Sequence, residues 1–377
     1  MSQPPFRADH VGSLLRPAQI KQARAVAGAT ALTPDGFTAT DALRAQEDEA
    51  ISDAVGLQEG VGLQTVTDGE YRRSFWHYDF MAALNGLELV ERAEAGVQFH
   101  GVQMRPLFPT ITERLSFPED HPMLAHFRYL KSVTNVTPKI SIPGPSACHF
   151  RTAVEDIAPT EYQDPDRLFE DLANTYKAAV QAFYDAGCRY LQMDDIFFAY
   201  LCDPNQRAAK AALGQDPDWL IQRYADTINR AIIDRPQDMI IAMHLCRGNF
   251  KSTWAADGAY DPAADAVFNQ TDVDVYFMEY DSERAGGLEP LRLLPSGRKR
   301  VLPGFITTKT PALEDMDDLK RRFDEASQFA DIDQLGIAPQ CGFASTEEGN
   351  ALTQDDQKRK LELVVRVAEE IWGGIAS

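Results

Sequence analysis

Short apolar runs rich in β-branched residues alternate with longer amphipathic stretches along nearly the whole chain, and this rhythm restricts the fold more than any other feature. The runs lie at Phe6–Ser13, Gly62–Asp68, Lys139–Pro143, Arg189–Asp194, Met239–His244, Val273–Glu279, Arg300–Phe305 and Gln334–Ala338. Each has the length and apolar continuity of a strand buried on both faces. The spacing of apolar residues three and four apart, with charges opposite, predicts helices over Asp41–Glu59, Pro165–Ala186, Asp218–Asp234, Ala312–Ala330 and Gln354–Trp372. Gly187 falls just past the second of these, where a helix C-terminus favours glycine. Strand–helix alternation builds parallel sheets. Eight such units in 377 residues predict an α/β fold, a single (β/α)8 TIM barrel occupying 1–377 as one catalytic domain.

One stretch breaks the rhythm. From about 80 to 137 the chain is proline-bearing and weakly periodic, which reads as an insertion after the second strand, with a short hairpin around Val97–Leu107. Long connections of this kind often act as lids or partner contacts.

Composition narrows the partners. A net charge of −20 argues against nucleic acid and against an anionic membrane surface. No apolar run approaches the roughly 18 residues of a membrane span, and the start MSQPPFRADH has neither the basic residues nor the apolar core of a signal peptide. Five irregularly spaced cysteines do not form a disulfide framework, so a cytoplasmic setting is expected.

In a barrel, side chains at the C-terminal strand ends converge on one site. Those positions carry Ser13, Asp68 and Glu70, Asp194 and Asp195, His244 and Cys246, Glu279, Lys309 and Cys341. Residues i and i+2 of a strand share a face, so His244 and Cys246 can bind one ion if both point inward. With Glu279 and Cys341 they offer one nitrogen, two sulfurs and a carboxylate, a set suited to Zn²⁺. Glu70 and Asp194 suit a substrate ammonium, although strand-end carboxylates also serve as helix caps. Asp195 should face away, and Cys148, Cys188 and Cys202 read as buried small hydrophobes. Arg72, Arg73, Arg151 and Arg247 are four candidates for anchoring an anion, and Phe75, Trp76, His77 and Tyr78 are either pocket wall or core.

The segments HLC, MEYD and PQCGF, together with DHVGSLLRP, TDGEYRRSFWHYDF, IPGP and YLQMDD, resemble the catalytic half of cobalamin-independent methionine synthase. The chain as a whole resembles the short, single-barrel members of that family. The resemblance implies a catalytic zinc on His244, Cys246, Glu279 and Cys341, and homocysteine held by Ser13, Glu70 and Asp194. It implies methyl transfer to homocysteine, forming methionine. A thiol is a weak nucleophile at neutral pH, and a zinc-bound thiol is deprotonated.

The donor end departs from the family. Lys309 stands where a histidine proton donor is expected, which makes Lys309 the candidate catalytic acid. His149 and Phe150 stand near the position of a pterin-stacking tryptophan. The N-terminal half of the long enzymes has no counterpart here. The methyl or alkyl donor is therefore open: a simple methylated molecule, a corrinoid carried by another protein, or a folate held differently. A homo-oligomer is compatible with the sequence. Two other readings are a thiol alkyltransferase of the epoxyalkane:coenzyme M transferase type and a noncatalytic zinc-binding scaffold.

Overall fold

The computed structural model describes residues 4–26, 39–93 and 96–376. Its centre is a five-stranded parallel sheet ordered β11–β10–β9–β8–β7, with β7 at Ile140–Pro143, β8 at Tyr190–Asp194, β9 at Ile240–Leu245, β10 at Val275–Glu279 and β11 at Arg300–Gly304. Neighbouring strands in space are neighbours in sequence, each reached through a helical crossover. The strands β7, β8, β10 and β11 are buried at every residue, which explains why they read as unbroken apolar runs.

The crossover helices begin with well-defined caps. Asp164 and Asp216 each cap a helix that has proline at its first turn, Pro165–Asp185 and Pro217–Ile232. The last helix, Gln354–Trp372, starts with a reciprocal capping box between Thr353 and Asp356. Gly187 has φ +98°, in the left-handed region a helix terminus requires, and its N–H donates to Tyr184 O. The helix expected over Ala312–Ala330 is shorter, Met316–Ala326, because Asp315 caps it and the preceding residues form irregular turns.

Three expected strands are reduced. The run Gly62–Asp68 contributes only β1, Thr65–Val66, which pairs parallel with β6, Thr137–Pro138. Phe6–Ser13 and Gln334–Ala338 form no ladder of their own; they meet through the single parallel bridge Ala8↔Ile337, and Leu335 bridges to Val301 of β11. Side chains replace part of the missing ladder: Thr67 Oγ1 donates to Gly12 O at 2.6 Å, and Arg7 donates to Leu335 O at 2.8 Å. A pattern of apolar residues reports burial, not backbone pairing, so these segments look the same in sequence as the paired strands.

An inner apolar cluster joins Phe6, Val11, Tyr190, Ala242, Val275, Phe277, Leu302 and Ala338. Within each strand these alternate with residues facing the helices, so Tyr190, Gln192 and Asp194 share one face, as do Ala242, His244 and Cys246. The two-residue period therefore delivers His244 and Cys246 to the face that carries the inner cluster.

The stretch from about 80 to 137 is more ordered than its sequence suggests. It holds an antiparallel ribbon of β2, Asn85–Glu91, and β5, Leu107–Ser116, a small hairpin of β3, Gln98–Phe99, and β4, Val102–Gln103, and the helix Pro122–Ser132. The hairpin lies within the predicted Val97–Leu107. The hairpin docks onto a loop after β9, with His100 stacked on Trp254 at 4.5 Å and Phe99 packed on Phe250 at 5.4 Å. No helix among the described residues is long and apolar enough to cross a membrane.

Candidate active site

His244 ends the inward row of β9 and sits opposite Asp194 of β8 in register. Its Nδ1 lies 3.4 Å from Asp194 Oδ1, while Gln192 donates to the same oxygen at 2.7 Å. Cys246 follows one step beyond the strand. Cys341 comes from the segment after Gln340, whose N–H bonds to Ile306 O. Ligand atoms of His244, Cys246 and Cys341 all lie within 4.8 Å of one another, the group among the described residues placed to hold a metal ion, and all three are buried. The two sulfurs are 3.8 Å apart.

The electrostatics of this group follow from its crowding. The contact between the sulfurs pushes the Cys246 thiol up and, with His244 beside it, pulls Cys341 well down. Burial opposes charging of His244, but Asp194 and Cys341 outweigh it and raise its pKa to about 10. The remaining cysteines behave as expected of buried hydrophobes: burial pushes Cys148 and Cys188 up to about 12 and Cys202 to about 11.

Glu279 does not join the three metal-binding atoms. Its Oε2 accepts the Arg247 N–H at 2.7 Å, and its Oε1 is paired with Arg284. Burial opposes its charge, but Lys309, Arg247 and Arg284 hold its pKa down at about 2. Two arginines thus compete with any metal for this carboxylate. Lys309 is drawn to the same group, with Nζ 3.7 Å from Glu279 Oε1, and it is not among the residues lining the pocket.

That pocket brings Ser13, Glu70 and Asp194 together with His244, Cys246 and Cys341. Glu70 is presented by a strained turn: Gly69 and Glu70 both have left-handed backbones, φ +63° and +60°. For a residue with a side chain that conformation costs roughly 1–2 kcal/mol. Arg16 clamps the turn by donating to Glu70 O at 2.7 Å and Arg73 O at 3.0 Å. Burial, and to a smaller degree Asp194, raise the Glu70 carboxyl to about 7 despite Arg73. One of its oxygens accepts from Ser141 Oγ at 3.0 Å; the other, buried, has no partner.

The profile of the catalytic domain of cobalamin-independent synthases matches residues 8–370. The chain belongs to this family. Two Bacillus subtilis members whose functions are uncharacterized, YxjG and YxjH, are 45% and 44% identical to it, each over 98% of this chain and 96% and 95% of their own lengths. A candidate vitamin-B12-independent methionine synthase from Listeria monocytogenes superposes with a TM-score of 0.76 at 36% identity, covering 99% of this chain and all of that one. The 5-methyltetrahydropteroyltriglutamate–homocysteine methyltransferase of Corynebacterium efficiens is 24% identical over 90% of this chain, which spans 40% of that protein's length.

Within this family member, Ser13 is locked against the segment that carries Cys341. Its Oγ accepts from Ala344 N at 3.3 Å, and Phe343 N donates to Ser13 O at 2.9 Å. A Cβ on Gly342 would strike Ser13 Oγ and come within 3.0 Å of Ser13 Cβ and 3.2 Å of its N. Gly342→Ala should therefore move Ser13. We expect thiol affinity to fall about tenfold while bound metal stays constant, a displacement of the size overpacking produces. Calorimetric titration and metal analysis of the same sample check this; unchanged affinity would show that Ser13 is not part of the thiol site.

Other expectations sort cleanly. Asp195 faces away, pinned by Ser146, and burial raises it to about 7. Of the aromatic run, Trp76 lines the pocket, whereas Phe75, His77 and Tyr78 are core. His149 and Phe150 do not line it. His149 bonds through Nδ1 to Tyr224 OH at 2.8 Å, and Phe150 stacks on Phe197 at 4.5 Å. Sequence reasoning did not single out Phe99, Met104, Tyr200 or Asn249, which also line the pocket. They come from the hairpin region, a loop after β9 and, for Tyr200, the one-turn helix Phe197–Tyr200, segments too short or irregular for periodicity to mark an inward residue.

Proposed function

We propose that this chain is a zinc-dependent S-methyltransferase that methylates homocysteine to methionine. The observation that carries the reading is the convergence of His244, Cys246 and Cys341 in one buried pocket with Ser13, Glu70 and Asp194. The donor set fits zinc: two zinc–sulfur bonds of ~2.3 Å at the tetrahedral angle span about 3.8 Å, the separation of the two sulfurs. Three protein donors leave the fourth tetrahedral position for a substrate thiol.

A zinc ion bound here would deprotonate an incoming thiol and leave its sulfur nucleophilic. The protein residues do the rest. Glu70 and Asp194 face the substrate ammonium, and Ser13 anchors its carboxylate end. Asp194 also orients His244 through their 3.4 Å contact. Sulfur attacks the methyl carbon; the new S–C bond forms as the bond from that carbon to the donor breaks. The donor leaves with the electron pair, and the proton lost by the thiol balances the charge it acquires. Glu279 can serve as a fourth donor only by giving up Arg284, so we assign it that role in the absence of thiol. Lys309 neutralises Glu279 in this scheme instead of acting as the catalytic acid.

We read the fold as a TIM barrel closed through Phe6–Ser13 and the segment after Gln334, with the whole of 1–377 as one catalytic domain. The inner cluster, drawn from segments on both sides of the sheet gap, supports closure. The stretch 80–137 is then an insertion that supplies Phe99 and Met104 to the pocket.

Homocysteine and coenzyme M, titrated separately while proton release is followed, test the choice of thiol. Binding of coenzyme M without homocysteine would replace this reading with the alkyltransferase one. Asp194→Asn should weaken homocysteine by about tenfold, the usual loss for a charge-assisted contact. The same change should weaken 4-mercaptobutyrate, which lacks only the amine, far less. Equal losses would leave Asp194 with the orientation of His244 and nothing more.

A further inference from the structure

Four arginines were candidates for an anion anchor, and the tertiary structure separates them. Arg72 is spent on Asp48 and Glu47. Arg73 lies 3.7 Å from Glu70 Oε1. Arg247 is fully buried and gives its side-chain N–H groups to backbone oxygens of Gly258, Glu279 and Ala285. Arg151 has no ion pair among the described residues, its buried Nε has no hydrogen-bond partner, and it is the one lysine or arginine that lines the pocket.

What holds Arg151 is an aromatic platform. Its guanidinium lies 5.2 Å from the ring centre of Phe197 and 5.7 Å from that of Tyr200. Phe150 stacks on the other partner, Phe197, at 4.5 Å, and Lys210 Nζ sits 3.9 Å over Phe150 while donating to Phe150 O at 3.1 Å. Lys210 also lacks a carboxylate partner among the described residues. Burial, with Arg151 nearby, lowers it to about 8. Two cations thus share one aromatic stack with no counter-anion, in a chain whose net charge is −20. Cation–π contact orients a guanidinium without consuming its in-plane N–H groups, so even with Tyr200 beside it Arg151 keeps N–H groups for a carboxylate.

The same platform borders the metal donors. The Tyr200 hydroxyl lies near enough to the Arg151 guanidinium to interact with it, feels Cys246 as well, and lines the pocket with Trp76 and Phe99.

We infer that Arg151 is a specificity-determining residue that binds a carboxylate or similarly shaped oxyanion on the methyl donor, with Lys210 behind it strengthening the positive field. The inference rests on reading this pocket as the methyl-transfer site. It assigns the donor to the anionic class and excludes donors whose bound end is neutral or cationic.

Benzoate and benzamide, equal in shape and different in charge, are suitable probes for the zinc-loaded protein saturated with homocysteine. Benzoate should bind, and benzamide should bind at least about tenfold more weakly, the difference expected of a charged hydrogen-bonded contact. Arg151→Gln should lose that preference, and Arg151→Lys should keep part of it. Zinc content and homocysteine-driven proton release should be unchanged in both variants, which shows that the fold and the thiol site are intact. Equal binding of the two probes, no binding of benzoate, or full benzoate affinity in Arg151→Gln would each overturn the inference. Loss of homocysteine response in the wild-type protein would instead overturn the functional reading itself.

Discussion

Serine in place of Cys246 or Cys341 should remove bound zinc and methyl transfer together. The wild-type protein should carry about one zinc per chain, the capacity of a single tetrahedral site. Both sulfurs are buried, 3.8 Å apart, and supply two of the three donors. Serine keeps the shape of the side chain but not the soft thiolate, so the fold should survive while the site fails. Sharing roughly 10–16 kcal/mol of zinc binding among these three donors and Glu279 puts each near 3 kcal/mol, a loss of about a hundredfold in affinity per ligand. Serine at Cys148, Cys188 or Cys202 provides the control, because these thiols lie outside the metal group; occupancy should not change. Full zinc occupancy in both the Cys246 and the Cys341 variant would end the proposal of a zinc centre here.

The largest effect on stability is expected at a buried ion pair outside the metal group. Lys139 and Asp9 form an ion pair with both side chains at 0% exposure, Nζ to Oδ1 2.8 Å. The pair is fully furnished: Tyr190 OH donates to Asp9 Oδ2 at 2.7 Å, His10 N donates to Oδ1 at 2.6 Å, and Lys139 also reaches His10 O. Its ammonium lies 4.3 Å from the ring centre of Phe277. Desolvation lowers the Lys139 pKa, and Asp9 offsets part of that cost. Removing one partner leaves an uncompensated buried charge, which costs about 3–5 kcal/mol, whereas removing both can be nearly neutral. Lys139→Met should thus lower stability by about that amount in urea unfolding, and adding Asp9→Asn should restore most of it. A cost under about 1 kcal/mol for Lys139→Met would show that the pair holds nothing together.

Segments with strong periodicity were legible from sequence. Helix Gln354–Trp372 has the predicted bounds, Pro165–Asp185 ends one residue early, and Pro217–Ile232 starts one residue and ends two residues before its predicted bounds. The five strands of the main sheet appear near their predicted places. Phe6–Ser13 and Gln334–Ala338 were equally apolar yet form only isolated bridges. Hydrophobic pattern reports which side chains leave water, and two buried segments with and without a ladder bury the same residues. The ribbon of β2 and β5 was missed for the opposite reason. One face is largely exposed and its register shifts between Asn85 and Leu87, which blurs the two-residue alternation.

At the site the same division holds. Sequence alone determined that His244 and Cys246 share one face by the two-residue period, and that Cys341, Glu70 and Asp194 each follow an apolar run. Those positions follow from local geometry, so a linear pattern can encode them. Which groups share a partner is a matter of distance between segments remote in sequence, and only the tertiary structure decided it. It gave Glu279 to Arg284 and Arg247, placed Lys309 against Glu279 outside the pocket lining, and set His149 on Tyr224 and Phe150 on Phe197 instead of in the pocket wall. It also left Arg151, among four arginines alike in sequence, as the one facing the pocket without a carboxylate. Ion pairing depends on which charges the fold brings within a few ångströms, and no spacing along the chain records that.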